Sequence, residues 1–159
     1  MRTRPPSTPS PFVVLSLIHQ ANRQASLYID AMFSDLDVSA QEGQLLSFVG
    51  LRDGVPVTAI VRLLGVSKST VTSLLQRLER RRLISRRGNP EDARSALLLA
   101  TEKGRRVGTV ARDRVLALDQ KITSRISAAD IRALSRIVRA VTAETGIDLT
   151  AEHPRRRNS

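Results

Sequence analysis

The sequence predicts a mainly α fold with a small β element, an α+β chain whose two ends are long helices. Three observations predict it. Apolar residues recur at steps of three and four through most of the chain. Ser or Thr stands before successive apolar runs, at Ser39, Thr58, Ser67, Thr101 and Ser127, where helix caps belong. Two short runs, Leu83 to Arg87 and Ser95 to Ala100, flank the breaker Gly88-Asn89-Pro90 and read as a β-hairpin.

The elements follow in order. Residues 1–11 hold four Pro among Ser, Thr and Arg, and are expected to be a disordered arm. Residues 12–33 contain no Pro or Gly, and Leu15, Ile18, Ala21, Ala25, Ile29 and Phe33 form one helical stripe. Ser39-Ala-Gln-Glu42 is a capping-box pattern opening a helix to about residue 51. Asp53-Gly54 is a turn, and Val55 to Val57 suit one short strand. Thr58 caps a third helix, with Ile60, Leu63 and Leu64 buried, which Gly65 stops. Ser67 caps a fourth, whose Val71, Leu74, Leu75 and Leu78 follow the i, i+3, i+4, i+7 template. After the hairpin, Thr101 caps a fifth helix to about residue 124. Ser127-Ala-Ala-Asp130 opens a sixth, and Gly146 ends it. Residues 151–159 are a basic tail, expected to be disordered.

Composition narrows the function. The net charge of +11 in a chain of 159 residues favours a polyanionic partner, nucleic acid before membrane. Arg outnumbers Lys 23 to three, so the placement of Arg is more informative than its abundance. The absence of Cys excludes disulfides, thiolate metal sites, cysteine nucleophiles and thiol redox sensing. The only two His, His19 and His153, form no local metal motif, and no metal or other cofactor is expected. Aromatics at 3% leave too few rings for a stacking surface. No apolar run approaches the ~18 residues of a membrane span. The apolar stretch Phe12 to Ile18 lacks a following cleavage site, so the chain is expected in the cytoplasm.

Two helices, a short strand, two helices, a hairpin and two helices give a winged helix-turn-helix between long flanking helices. The turn is Leu64-Gly65-Val66-Ser67: Gly supplies the tight bend, Val66 plugs the angle and Ser67 caps the second helix. That second helix enters a major groove in such motifs. Its groove side would present Ser67, Lys68, Ser69, Thr70, Thr72, Ser73, Gln76 and Arg77. Ser and Thr suit phosphates or several bases, while Gln and Arg can make bidentate base contacts. Ser and Thr also occupy ordinary solvated faces, so this segment alone leaves both readings open. Between 62 and 114 lie fourteen basic and five acidic residues, an excess of nine out of the total of eleven. Phosphate neutralisation requires such a concentration of charge.

The segment Asp92-Ala-Arg94-Ser95-Ala-Leu-Leu98-Leu-Ala-Thr101-Glu-Lys103-Gly104 resembles the wing signature of the MarR (multiple antibiotic resistance regulator) family. Leu64 to Ser67, Val71, Leu78-Glu79, Leu83-Ile84, Arg86 and Pro90-Glu-Asp92 resemble that family's recognition helix and wing entry. The likeness covers about residues 36–104 by motif, and 12–146 by order of elements. Three positions depart from the pattern: Arg82 stands where the family usually has Gly, Ala100 where it has Leu, and Val61 where it often has Ala. An Arg at the first demands a strained turn or a different one.

The resemblance implies a homodimer that binds double-stranded DNA at a palindromic operator, with Arg94 in the minor groove and Asp92 orienting it. Arg86 and Arg87 would add wing contacts. A plain solvated turn at 91–94 is the competing reading. A pocket that some members carry would place a small-molecule effector near His19, Arg23 and Tyr28, although these residue types also suit surface and packing roles. One folded domain is expected over 12–150, with the DNA-binding lobe at about 36–104 and dimerisation helices at about 12–33 and 105–145. The expected function is a sequence-specific, ligand-responsive repressor of transcription. The alternative is an architectural DNA-binding protein without an effector. Nothing resembles a catalytic set, so the chain is not expected to be an enzyme.

Overall fold

The computed structural model describes residues 12–90 and 92–146. The elements are α1 (Val13–Met32), α2 (Ala40–Gly50), β1 (Val55–Pro56), α3 (Val57–Leu64), α4 (Lys68–Arg80), β2 (Ile84–Asn89), β3 (Asp92–Ala100), α5 (Glu102–Thr123) and α6 (Ala128–Thr145). A 3-10 turn, Ser34–Leu36, follows α1. The fold is the expected one: mainly α, with a small antiparallel sheet in the winged helix-turn-helix order. The chain forms two compact units, residues 1–40 and 41–159.

In the first unit, α1 buries none of its residues. Phe33 and Val38, just beyond it, are buried. Leu15, Leu17, Leu27 and Tyr28 stand largely in solvent.

The second unit has an aliphatic core. It is drawn from Leu45, Leu46 and Val49 of α2, Ile60 of α3, Val71, Leu74, Leu75 and Leu78 of α4, and Ile84 and Leu98 of the sheet. The sheet order is β1-β3-β2. Val55 pairs with Leu98, and Ile84 with Ala100. The period-two pattern of β3 turns Leu98 and Ala100 inward.

Three details depart from the sequence reading. The first is that α3 begins at Val57, not at Thr58. Pro56 holds the N-cap position in extended conformation, and the strand ends there. The second is that Gly88 and Asn89 belong to the strand and not to the turn, because β2 runs through Asn89, which pairs with Asp92. The register shifts between Gly88, paired with Ala96, and Asn89, so β3 bulges over residues 93–95. Asn89 Nδ2 donates to Ser95 Oγ at 2.9 Å across the bulge.

The third is at Arg82, where Gly is usual in the family pattern: it adopts φ 56°, in the left-handed region. The turn is made in the glycine geometry by an arginine. It is a complete Schellman motif: the N–H of Arg82 donates to Glu79 O, and that of Leu83 to Leu78 O, both at 2.9 Å. Leu78 and Leu83 supply the accompanying buried apolar pair. A side chain at this φ costs about 1 kcal/mol or more. Arg82→Gly is therefore expected to raise stability by about 1 kcal/mol, offset in part by the freer unfolded chain. Urea denaturation of the two proteins checks this, and a lowered midpoint would refute the strain.

α5 starts on Thr101, whose Oγ1 accepts from Gly104 N at 3.0 Å and donates to Arg82 O at 2.8 Å. α6 starts on a capping box: Asp130 N donates to Ser127 Oγ at 3.2 Å, and Ser127 N donates to Asp130 Oδ2 at 2.8 Å. Hydrogen bonds from the Ser127 hydroxyl and its backbone N–H hold the Asp130 carboxyl below its ordinary pKa. That cap is fully formed above the ordinary carboxylate range and is lost as pH falls through the lowered value. α6 buries none of its residues.

Candidate nucleic-acid interface

The helix-turn-helix is built as its sequence dictates. Gly65 closes α3 at φ 61°, and its N–H donates to Val61 O at 3.0 Å. Ser67 caps α4: its Oγ accepts from Thr70 N at 3.2 Å and lies 2.8 Å from Thr70 Oγ1. Cap duty therefore occupies the Ser67 and Thr70 hydroxyls. Thr72 Oγ1 donates to Lys68 O at 2.9 Å, and the residue is exposed. Lys68, Ser69, Ser73, Gln76 and Arg77 lie on the outer side of the helix, away from the core.

At about 100° per residue, the candidates sort into a ridge and two flanks. Ser69, Ser73 and Gln76 lie opposite the buried Val71, Leu74, Leu75 and Leu78. Arg80 shares this ridge and is also exposed. The sequence reading places it in the basic cluster and not among the groove-facing residues. Lys68 and Thr72 form the flank toward the hairpin, where Glu79 receives Arg86 in an ion pair. Thr70 and Arg77 form the flank toward α2, where Arg77 Nε donates to Glu42 Oε1 at 2.7 Å.

Glu42 has a role that sequence reasoning missed. Its spacing from Ser39 signals a helix cap, and nothing local signals a partner 35 residues on. The structure buries it to 3% exposure, with Arg77 on one oxygen and Arg81 Nη1 3.9 Å from the other.

The wing arginines are partly neutralised. Arg86 pairs with Glu79, and Arg87 Nη2 lies 3.6 Å from Asp53 Oδ1. Both remain exposed on β2, which follows the recognition helix after one tight turn. Asp92 and Arg94 lie on β3 in the irregular stretch beside the hairpin turn. The sheet thus carries the wing residues next to the end of α4, as the helix-turn-helix and hairpin readings required separately.

Residues 36–95 match the MarR family model. Over that segment the winged-helix lobe is similar to MarR-family domains. Solved structures of the family share the fold over most of the chain. The S. aureus MepR–DNA complex is 20% identical with a TM-score of 0.73, covering 82% of this chain and 96% of that one. A mutant of E. coli MarR complexed with operator DNA is 23% identical with a TM-score of 0.71, covering 82% and 94%. The transcriptional regulator SlyA is 20% identical with a TM-score of 0.74, covering 86% and 96%. At the sequence level no curated protein matches the chain.

The candidate effector residues are less convergent than the MarR likeness implies. His19, Arg23 and Tyr28 are all exposed on α1. His19 and Arg23 stand one turn apart on one face, while Tyr28, nine residues beyond His19, points to the opposite side of the helix. Among the described residues no cluster of His, Asp or Glu could hold a metal, and no helix is long and apolar enough to cross a membrane.

Proposed function

We propose that this MarR-like chain is a sequence-specific regulator of transcription that binds a palindromic operator as a homodimer and represses by occupying it. The carrying observation is the polar ridge of α4, Ser69, Ser73, Gln76 and Arg80, exposed beside a hairpin bearing Arg86 and Arg87. A ridge of short hydroxyls and an amide, backed by a rigid aliphatic core, suits base edges; the flanking arginines suit phosphates. In this reading residues 36–104 are the DNA-binding lobe, and 12–33 with 105–145 are the dimerisation helices. Arg94 supplies a minor-groove cation, and Asp92 orients it. The protein works in the cytoplasm, on the chromosome. Release by a small molecule completes the reading, with His19 and Arg23 the first positions to vary in a search for it.

DNA selection from random duplexes tests this. The expected product is an inverted repeat with half-site centres about one helical turn apart. Binding should exceed that to scrambled DNA by ~10³-fold or more. If each subunit neutralises about four phosphates, log K should fall against log salt with a slope of roughly −7. Equal affinity for all duplexes would instead mark an architectural protein, and a slope shallower than about −3 would remove the arginine cluster from the interface.

A further inference from the structure

Glu42 is a carboxylate with almost no access to water, placed on the first turn of α2 beneath a surface read as the DNA-binding face. Burying an unpaired charge is strongly unfavourable, so its partners define its role. One partner is Arg77, whose side chain is 53% exposed while the Glu42 side chain is 4% exposed. The guanidinium therefore lies over the carboxylate, between it and solvent. Arg81 approaches the second oxygen. Two helices distant in sequence, α2 and α4, are joined through this one acid.

We propose that Glu42 is a positioning residue for DNA binding: it fixes Arg77 on the α2 flank of the recognition helix and presents the outer edge of its guanidinium to a backbone phosphate. The assignment deepens the regulator reading and rests on it. Three observations support it. Nε donates inward to Glu42, which leaves the two terminal nitrogens for an acceptor outside, in the fork geometry that matches a phosphate. Arg77 lies on a flank rather than on the ridge, and in the third turn of α4, away from the end of the helix that sits deepest in a groove. The carboxylate that would repel a phosphate is covered by the guanidinium itself. An arginine already held in one geometry also loses less side-chain freedom on binding. Gln76, one position earlier on the ridge, has no such tether and is left to read bases.

The consequence is a division of labour that the sequence alone does not separate, since Gln76 and Arg77 are neighbours and both can make bidentate base contacts. Arg77 contributes affinity on every duplex, and Gln76 contributes discrimination.

The test is a set of binding curves for Gln76→Ala, Arg77→Ala, Arg77→Lys, Glu42→Gln and the double variant Glu42→Gln/Arg77→Ala. Each is measured on the selected operator, on its single-base-pair variants and on a scrambled duplex, with thermal melts alongside. Arg77→Ala is expected to weaken all duplexes by a similar factor, about tenfold, the worth of one charge-assisted hydrogen bond. Glu42→Gln should weaken them less, and should add nothing in the Arg77→Ala background. Arg77→Lys keeps the charge but replaces the rigid two-edged fork by one nitrogen on a flexible stem, so it should recover only a small part of the affinity that Arg77→Ala loses. This arm decides the matter even if Glu42→Gln fails to fold. The assignment is overturned if Arg77→Ala loses affinity at one base pair only, if Arg77→Lys binds like wild type, or if the effects of Glu42→Gln and Arg77→Ala add. Wild-type protein that binds no duplex would overturn the regulator reading, and this assignment with it. Wild-type binding with Arg77→Ala at full affinity would overturn the assignment alone.

Discussion

Gly104→Ala is expected to lower the stability of the winged-helix lobe by about 3 kcal/mol or more. A Cβ at Gly104 would lie 1.8 Å from the carbonyl oxygen of Leu83 and 2.8 Å from its carbon. Neither atom can yield cheaply. Leu83 is the last residue of the Schellman turn, its side chain is buried, and its carbonyl accepts from Thr101 N at 3.1 Å. Relief requires α5 to back away from the turn, which breaks that bond and opens the core beside Leu83 and Ile84. Gly88 is the control, since nothing lies within 4 Å of a Cβ there and its backbone is extended. Denaturant titration of Gly104→Ala and Gly88→Ala against wild type should separate them clearly. If Gly104→Ala unfolds within about 0.5 kcal/mol of wild type, α5 does not meet the turn as described.

Leu134→Glu is expected to convert a dimer into monomers and to lower operator affinity by about two to four orders of magnitude, the usual gain from linking two half-sites. The motive is the face of α6. Ile131, Leu134, Ile137 and Val138 lie within one stripe and all are exposed, Leu134 at 56%. α5 continues the pattern with Val115, Leu116 and Ile122. An apolar surface of this extent on a chain of 159 residues is unfavourable in water unless a second copy covers it. Glu144 and Asp130 are on the same helix, so an added acid is compatible with the helix itself. Light scattering checks the mass against the 17.5 kDa monomer. Wild-type protein that is monomeric at micromolar concentration would remove the basis of the prediction.

Much of this architecture was legible because it is written in short-range signals. The stripe Val71, Leu74, Leu75 and Leu78 specifies a helix and its buried side without reference to anything else in the chain. Ser67, Thr101 and Ser127 cap the helices they precede, and Gly65 and Gly146 end theirs in left-handed conformation. The Arg82 turn was legible as a conflict: the position needs positive φ, and the chain kept that geometry without the residue that suits it. The hairpin was legible in kind but not in extent. Gly88-Asn89-Pro90 carries every local mark of a turn, yet pairing to β3 extends β2 through Asn89, and cross-strand partners are not a local property. The Glu42 pairing was invisible for the same reason. Its sequence neighbours favour a cap, while the burial that selects Arg77 as its partner arises only when α2 and α4 come together.

The crossing of α5 over the lobe has one more consequence. At Gly108 a Cβ would come within 2.6 Å of Leu46 O, and Ser47 Oγ bridges Gly43 O and Gly108 O at 2.7 and 2.9 Å. With Gly104 on the Leu83 carbonyl, α5 rests on the lobe backbone against backbone at two points one turn apart. A joint this close, pinned by the Ser47 hydroxyl, has little slack. The first turns of α5 move with the lobe as one lever, and in the proposed dimer any change in the distance between the two lobes has to come from bending α5 beyond Ala111, its last buried residue. That shaft, Arg112 to Thr123, is twelve residues, or about 18 Å of helix. Over such a length a bend of a few degrees displaces the far end by about an ångström, so in the proposed dimer the spacing between half-sites follows the stiffness of one helix rather than the packing of the lobe.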